Sequence, residues 1–153
     1  MAEWRIALAA SGAFALLGAC SVLIPPDPRL CSAAQNLSAA MALTATAIQA
    51  EGAGDGPRAQ GLATQARSVS ELAYGLIKGM PDERKTDPVW QRLQAVYLAT
   101  AQADQALLPA FGGSPDMAPG QLADATAAMT RVRAELPEMC FALPADLETP
   151  APS

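Results

Sequence analysis

The side chains that most often carry chemistry are sparse in this chain, which has three cysteines, at positions 20, 31 and 140, and no histidine among 153 residues. Without imidazole a serine or cysteine nucleophile lacks its ordinary base, and the usual zinc, haem and di-iron ligand sets lose a member. Carboxylates can catalyse alone when apolar surroundings raise the pKa of one of a pair. Asp82 and Glu83, however, fall between helical segments, and Asp124 and Glu135 lie far apart on one segment. None of these four recurs inside an apolar stripe, so they read as solvated charge. Gly52-Ala-Gly-Asp-Gly56 has neither the spacing of a phosphate loop nor a strand before it. The balance of 10 Lys and Arg against 15 Asp and Glu gives a net charge of -5, and no basic run exceeds Arg84-Lys85. That argues against a nucleic-acid partner and against attraction to anionic headgroups. The expectation is therefore a non-enzymatic protein with no catalytic residue, no metal site and no cofactor.

The compartment is read from the amino terminus. After Glu3-Trp4-Arg5 comes an uncharged run from Ile6 to Cys20, closing on Leu17-Gly18-Ala19-Cys20. A short charged start, an apolar stretch and a small-residue cleavage site are the three parts of a secretory signal. The closing tetrapeptide resembles the lipobox of bacterial lipoprotein signal peptides. The resemblance implies that residues 1–19 are a signal peptide and that the mature chain begins at an acylated Cys20. Ser21 after the cysteine implies, by analogy with enteric lipoproteins, the outer membrane rather than the inner one. Two alternatives stand beside this. One is an uncleaved anchor, since Ile6 to Ile24 carries no charge and is just long enough to span a bilayer at about 1.5 Å per residue. The other is plain secretion. All three place the domain outside the cytoplasm.

If Cys20 carries lipid, Cys31 and Cys140 remain as a pair that an oxidising compartment would let join. Two thiols that never meet, or soft Cu(I) ligands with Met139 beside Cys140, are the other readings of the same residues.

Residues 20–29 form a Pro-rich tether after the lipidated cysteine, and residues 30–143 have the size of one small domain. The 51% hydrophobic content overstates its core, because 35 of those residues are Ala. Four stretches carry apolar residues at helical spacing. In the first, Leu30, Ala34, Leu37, Met41, Thr44 and Ile48 form a seam, and the uncharged remainder leaves a second face that can also be covered. Leu62, Ala66, Val69, Ala73, Leu76 and Met80 mark the second, opened by Asp55 or Gly56 with Pro57 behind it. Val89, Leu93, Val96, Thr100, Ala103 and Leu107 mark the third, after the cap signal Asp87-Pro88. The fourth, from about Gly120, shows Leu122, Ala125, Met129, Val132 and Leu136. Short connections between such segments imply an all-α antiparallel up-down-up-down four-helix bundle, which would set Cys31 and Cys140 at one end. Residues 144–153 have the composition of a disordered tail.

The function expected of such a chain is that of a lipid-anchored cell-envelope module that binds an envelope protein or supports an assembly. A carrier of a lipid or small apolar ligand is the alternative, and it requires a continuous pocket of about 300 Å³ or more. Trp90, Tyr97 and Phe111 are the candidates for a partner-facing surface, around segments 81–90 and 109–119, if they are not simply filling the interior.

Overall fold

The computed structural model describes residues 27–141, which are all-helical, with four long helices packed against each other. They are α1 (Pro28–Gly52), α2 (Gly56–Lys78), α3 (Pro88–Leu107) and α4 (Ala118–Glu135), with single 3-10 turns at Asp82–Arg84, Pro109–Phe111, Pro115–Met117 and Glu138–Phe141. The expected signal peptide 1–19, Cys20, the expected tether up to residue 26 and the expected tail 144–153 lie outside the described residues. No described helix is long and apolar enough to cross a membrane.

Three helices begin on the same device. The carboxylates of Asp27, Asp55 and Asp87 accept from the backbone N–H of Arg29 (2.9 Å), Arg58 (3.2 Å) and Val89 (2.8 Å), and each helix has a proline in its first turn. The cap satisfies an N–H that the helix cannot, and proline has none to lose there. Asp27-Pro28 therefore starts α1 two residues before the apolar seam. α4 has no side-chain cap and is entered from the 3-10 turn at Pro115–Met117.

The buried line of α1 and α2 keeps Leu30, Ala34, Leu37 and Thr44, and Ala66, Ala73 and Met80, of the expected seams and departs from them elsewhere. α1 buries Ala33, Leu37, Ala40, Thr44 and Ala47, and α2 buries Ala59, Ala63, Ala66, Ser70 and Ala73. Met41, Ile48, Leu62, Val69 and Leu76 are only half-buried at the flanks. Small residues at a helix contact let the axes approach more closely, so larger side chains are displaced sideways. α1 and α2 accordingly form the most extensive pair, followed by α3 with α4.

The core falls into two clusters of unequal substance. The larger joins Leu30 and Leu37 of α1, Ile77 near the end of α2, Trp90, Leu93 and Val96 of α3, and Met129 and Val132 of α4. Cys140 belongs to it, at disulfide distance from Cys31 with the Cα atoms 4.6 Å apart. The smaller consists of Ala47, Ala63, Ala106, Leu107 and Ala118. Since an Ala buries little area, this second cluster contributes much less hydrophobic stabilisation.

Candidate functional site

α1 packs more extensively on α3 than on α4, and the space this leaves between α1 and α4 is a groove. Its middle section has a volume of about 630 Å³ and is lined by Ala45, Ile48 and Gln49 of α1 and by Leu122, Ala123, Thr126, Ala127 and Thr130 of α4. None of these is charged. The groove continues past Thr130 to Ser38, Met41 and Arg133, and past Ile48 to Glu51 and Asp116. From Ser38 to Gly52 it follows α1 for about 20 Å at the helical rise. Its ends thus carry opposite charges, Arg133 at one and Glu51 with Asp116 at the other. On α4 the lining residues recur three and four apart, which makes a second uncharged stripe beside the buried one.

None of the aromatic candidates lines this groove. Trp90 is buried, and its indole N–H donates to the carbonyl of Ile77 at 2.9 Å. Tyr97 stacks on Tyr74 with ring centroids 4.6 Å apart, tying α3 to α2. Burial, with the negative Glu71 nearby, holds its phenol above the ordinary value. Phe111 is 49% exposed and lies under the guanidinium of Arg67, 4.4 Å from the ring centroid. Because α3 runs unbroken from Pro88 to Leu107, about 30 Å of helix separates segment 81–90 from segment 109–119. Segments 81–90 and 109–119 thus flank opposite ends of α3. Gly112, at φ +68°, and Gly113, whose missing Cβ would collide with the backbone of Gln105 and Ala106, fold the Phe111 loop back over the end of α3.

The residue that sequence reasoning missed is Asp104. It is 0% exposed on α3, where its Oδ1 lies 2.6 Å from Thr44 Oγ1 of α1 while its Oδ2 has no hydrogen-bond partner. Burial pushes its carboxyl up to about 7, against the opposing pulls of the Thr44 hydroxyl and the Arg67 guanidinium. The signal was present, since Asp104 stands four residues after Thr100 and three before Leu107, on the very stripe that faces inward. Glu135, in contrast, pairs with Arg92, and Asp82 with Lys85, where the ammonium holds the carboxyl below its ordinary value. Asp124 is exposed.

The described residues thus form an uncharged groove with oppositely charged ends between α1 and α4. No protein-family profile, no curated protein and no solved structure matches this chain.

Proposed function

We propose that the chain is a non-enzymatic, lipid-anchored helical module of the bacterial cell envelope, held on the periplasmic side of the outer membrane by acylated Cys20. It works by docking a helix of an envelope protein between α1 and α4. The groove carries this reading. It is about 20 Å long, enough for roughly 14 residues of a partner helix at about 1.5 Å each. Its alanines and threonines admit a close approach. The positive end of a helix dipole would lie over Glu51 and Asp116 and the negative end beside Arg133, so the partner's N-terminus belongs at the first and its C-terminus at the second.

The four helices run up-down-up-down and antiparallel in this reading, supported by the halves that meet. The first half of α1 clusters with the last part of α2, the first half of α3 and the end of α4, and the complementary halves form the alanine cluster. The compartment is supported by the lipobox resemblance at Leu17-Gly18-Ala19-Cys20 and by the Cys31–Cys140 pair, which an oxidising environment maintains.

A photoreactive residue placed at Ala127 in the whole chain, made in its host, tests the docking. One adduct that maps to a helical segment of a single envelope protein is expected, with no such adduct from the same probe at Ser68 on the exposed face of α2. Equal capture from both positions contradicts the reading. A carrier of a lipid or small apolar ligand is the second reading, supported by the uncharged lining of the groove, which is open along its length and not an enclosed cavity. Stoichiometric lipid retained in native mass spectra, and lost on Ala127→Glu, would select the carrier.

A further inference from the structure

Thr44 Oγ1 lies 2.9 Å from the carbonyl oxygen of Ala40 and 2.6 Å from Asp104 Oδ1, and a hydroxyl has one proton to donate. If it donates to the carboxylate, the contact with Ala40 is not a hydrogen bond. If it donates to Ala40, Asp104 must itself be the donor to Thr44. Both contacts are satisfied together only when the carboxyl is protonated, in the order Asp104 to Thr44 to Ala40. The neutral acid also suits the other oxygen, because Oδ2 is buried without a partner and an anion there would lack a donor.

The charged groups around the site are few. α2 presents Arg67, which is 3.1 Å from its own partner Glu71 and lies over Phe111. α1 offers only the Thr44 hydroxyl, since its charges, Arg29 and Glu51, stand at its two ends. The charges of α4 nearest its start and of the preceding turn, Asp124 and Asp116, are exposed, and neither acts on Asp104. On α3 itself, Arg92 is three turns away and paired with Glu135. Among the described residues the one cation that acts on Asp104 is therefore Arg67, which is already paired with Glu71.

The contact sits on the weak side of the core. Thr44 and Asp104 are each within one turn of the alanine cluster, whose one large buried side chain is Leu107, whereas the opposite cluster is filled by larger side chains and tied by the cysteine pair.

We propose that the Asp104–Thr44 contact is a proton-operated latch between α1 and α3, closed when the carboxyl is neutral, whose ionisation loosens the alanine cluster while the cysteine-tied cluster stays packed. The direction follows from linkage. Burial lifts the carboxyl from 3.8 to about 7, so the folded chain holds a proton that the opened chain releases, and stability is lost as pH rises between those values. Above them both forms are ionised and the dependence ends.

Amide hydrogen exchange on the whole chain tests this, comparing wild type with Asp104→Asn after correction for the intrinsic rate. The asparagine amide can donate to Thr44 as the neutral acid does and cannot ionise. Between about pH 5.5 and about pH 8, protection of residues 44–52 and 100–107 is expected to fall by a factor on the order of ten or more in wild type. Residues 30–37 and 89–96 are expected to keep theirs, and Asp104→Asn to show no change in either region. Equal pH dependence in the two proteins, or none in wild type, overturns the latch. Should Asp104→Asn fail to fold, carbon-13 NMR of the wild-type carboxyls decides: a midpoint for Asp104 well above 3.8 supports the latch, and an ordinary carboxylate midpoint overturns it.

Discussion

Replacing Cys31 and Cys140 together by Ala removes the one covalent tie between the first turn of α1 and the 3-10 turn that follows α4. The two positions are 109 residues apart, so the cross-link closes nearly the whole described chain into a loop. In the chain-entropy account a loop of that size restricts the unfolded state by about 5 kcal/mol. Removing buried sulfur from Cys140 adds a smaller packing loss of about 1 kcal/mol. Domains of this size have net stabilities of about 5–15 kcal/mol, and an alanine-rich core belongs towards the lower end. The double substitution is therefore expected to leave the protein marginal. In urea, with a slope of about 2 kcal/mol per molar, the unfolding midpoint should fall by about 2–3 M. Reductant should move the wild-type midpoint by a similar amount and leave the double variant where it is. A fall of less than about 0.5 M, or a double variant as sensitive to reductant as wild type, would refute the reasoning.

Thr44→Val leaves Asp104 Oδ1 buried beside a methyl group, and a loss of about 1–3 kcal/mol in urea titrations at acidic pH is expected. The wild-type protein should lose up to about 4 kcal/mol of stability as pH rises from about 4 to about 7, as Asp104 goes from 3.8 unfolded to about 7 folded, and denaturation midpoints across that window check it. Gly113→Ala forces a methyl group into the backbone of Gln105 and Ala106, so a thermal scan should report a loss of about 1–3 kcal/mol, with the change in exchange confined to the Phe111 loop.

Most of the helical framework was legible, for local reasons. Asp55 with Pro57 and Asp87-Pro88 announce α2 and α3 because a capping carboxylate and an N–H-free residue are useful only at a helix start. The α3 stripe from Val89 to Leu107 was read correctly since large residues there do face inward. The α1 and α2 seams hold at Leu30, Ala34, Leu37, Thr44, Ala66, Ala73 and Met80 and are off by one position elsewhere, because ranking residues by size puts Met41, Ile48, Leu62 and Leu76 at the centre. Close packing through Ala33, Ala40, Ala63 and Ala66 moves that centre onto the small residues instead. Displacement of the larger side chains lines the groove with Ile48 and Met41, which depends on interhelical spacing that periodicity alone does not carry. Asp104 was overlooked for a related reason. An acid on an apolar stripe is normally discounted as surface charge, and only its meeting with Thr44 across two helices gives its burial a cause. The spread of the aromatic candidates was not legible, since Trp90 stands in the first turn of one continuous helix, Tyr97 in its middle and Phe111 beyond its end.

The proposed function requires an oxidised, lipid-bearing helical module outside the cytoplasm, and intact mass spectrometry of the protein from its native host, without reductant, tests this most directly. The predicted species begins at Cys20, carries fatty acyl groups on that residue, and lacks the two thiol hydrogens of Cys31 and Cys140. A chain that still begins at Met1, without acyl groups and with three free thiols, would contradict it.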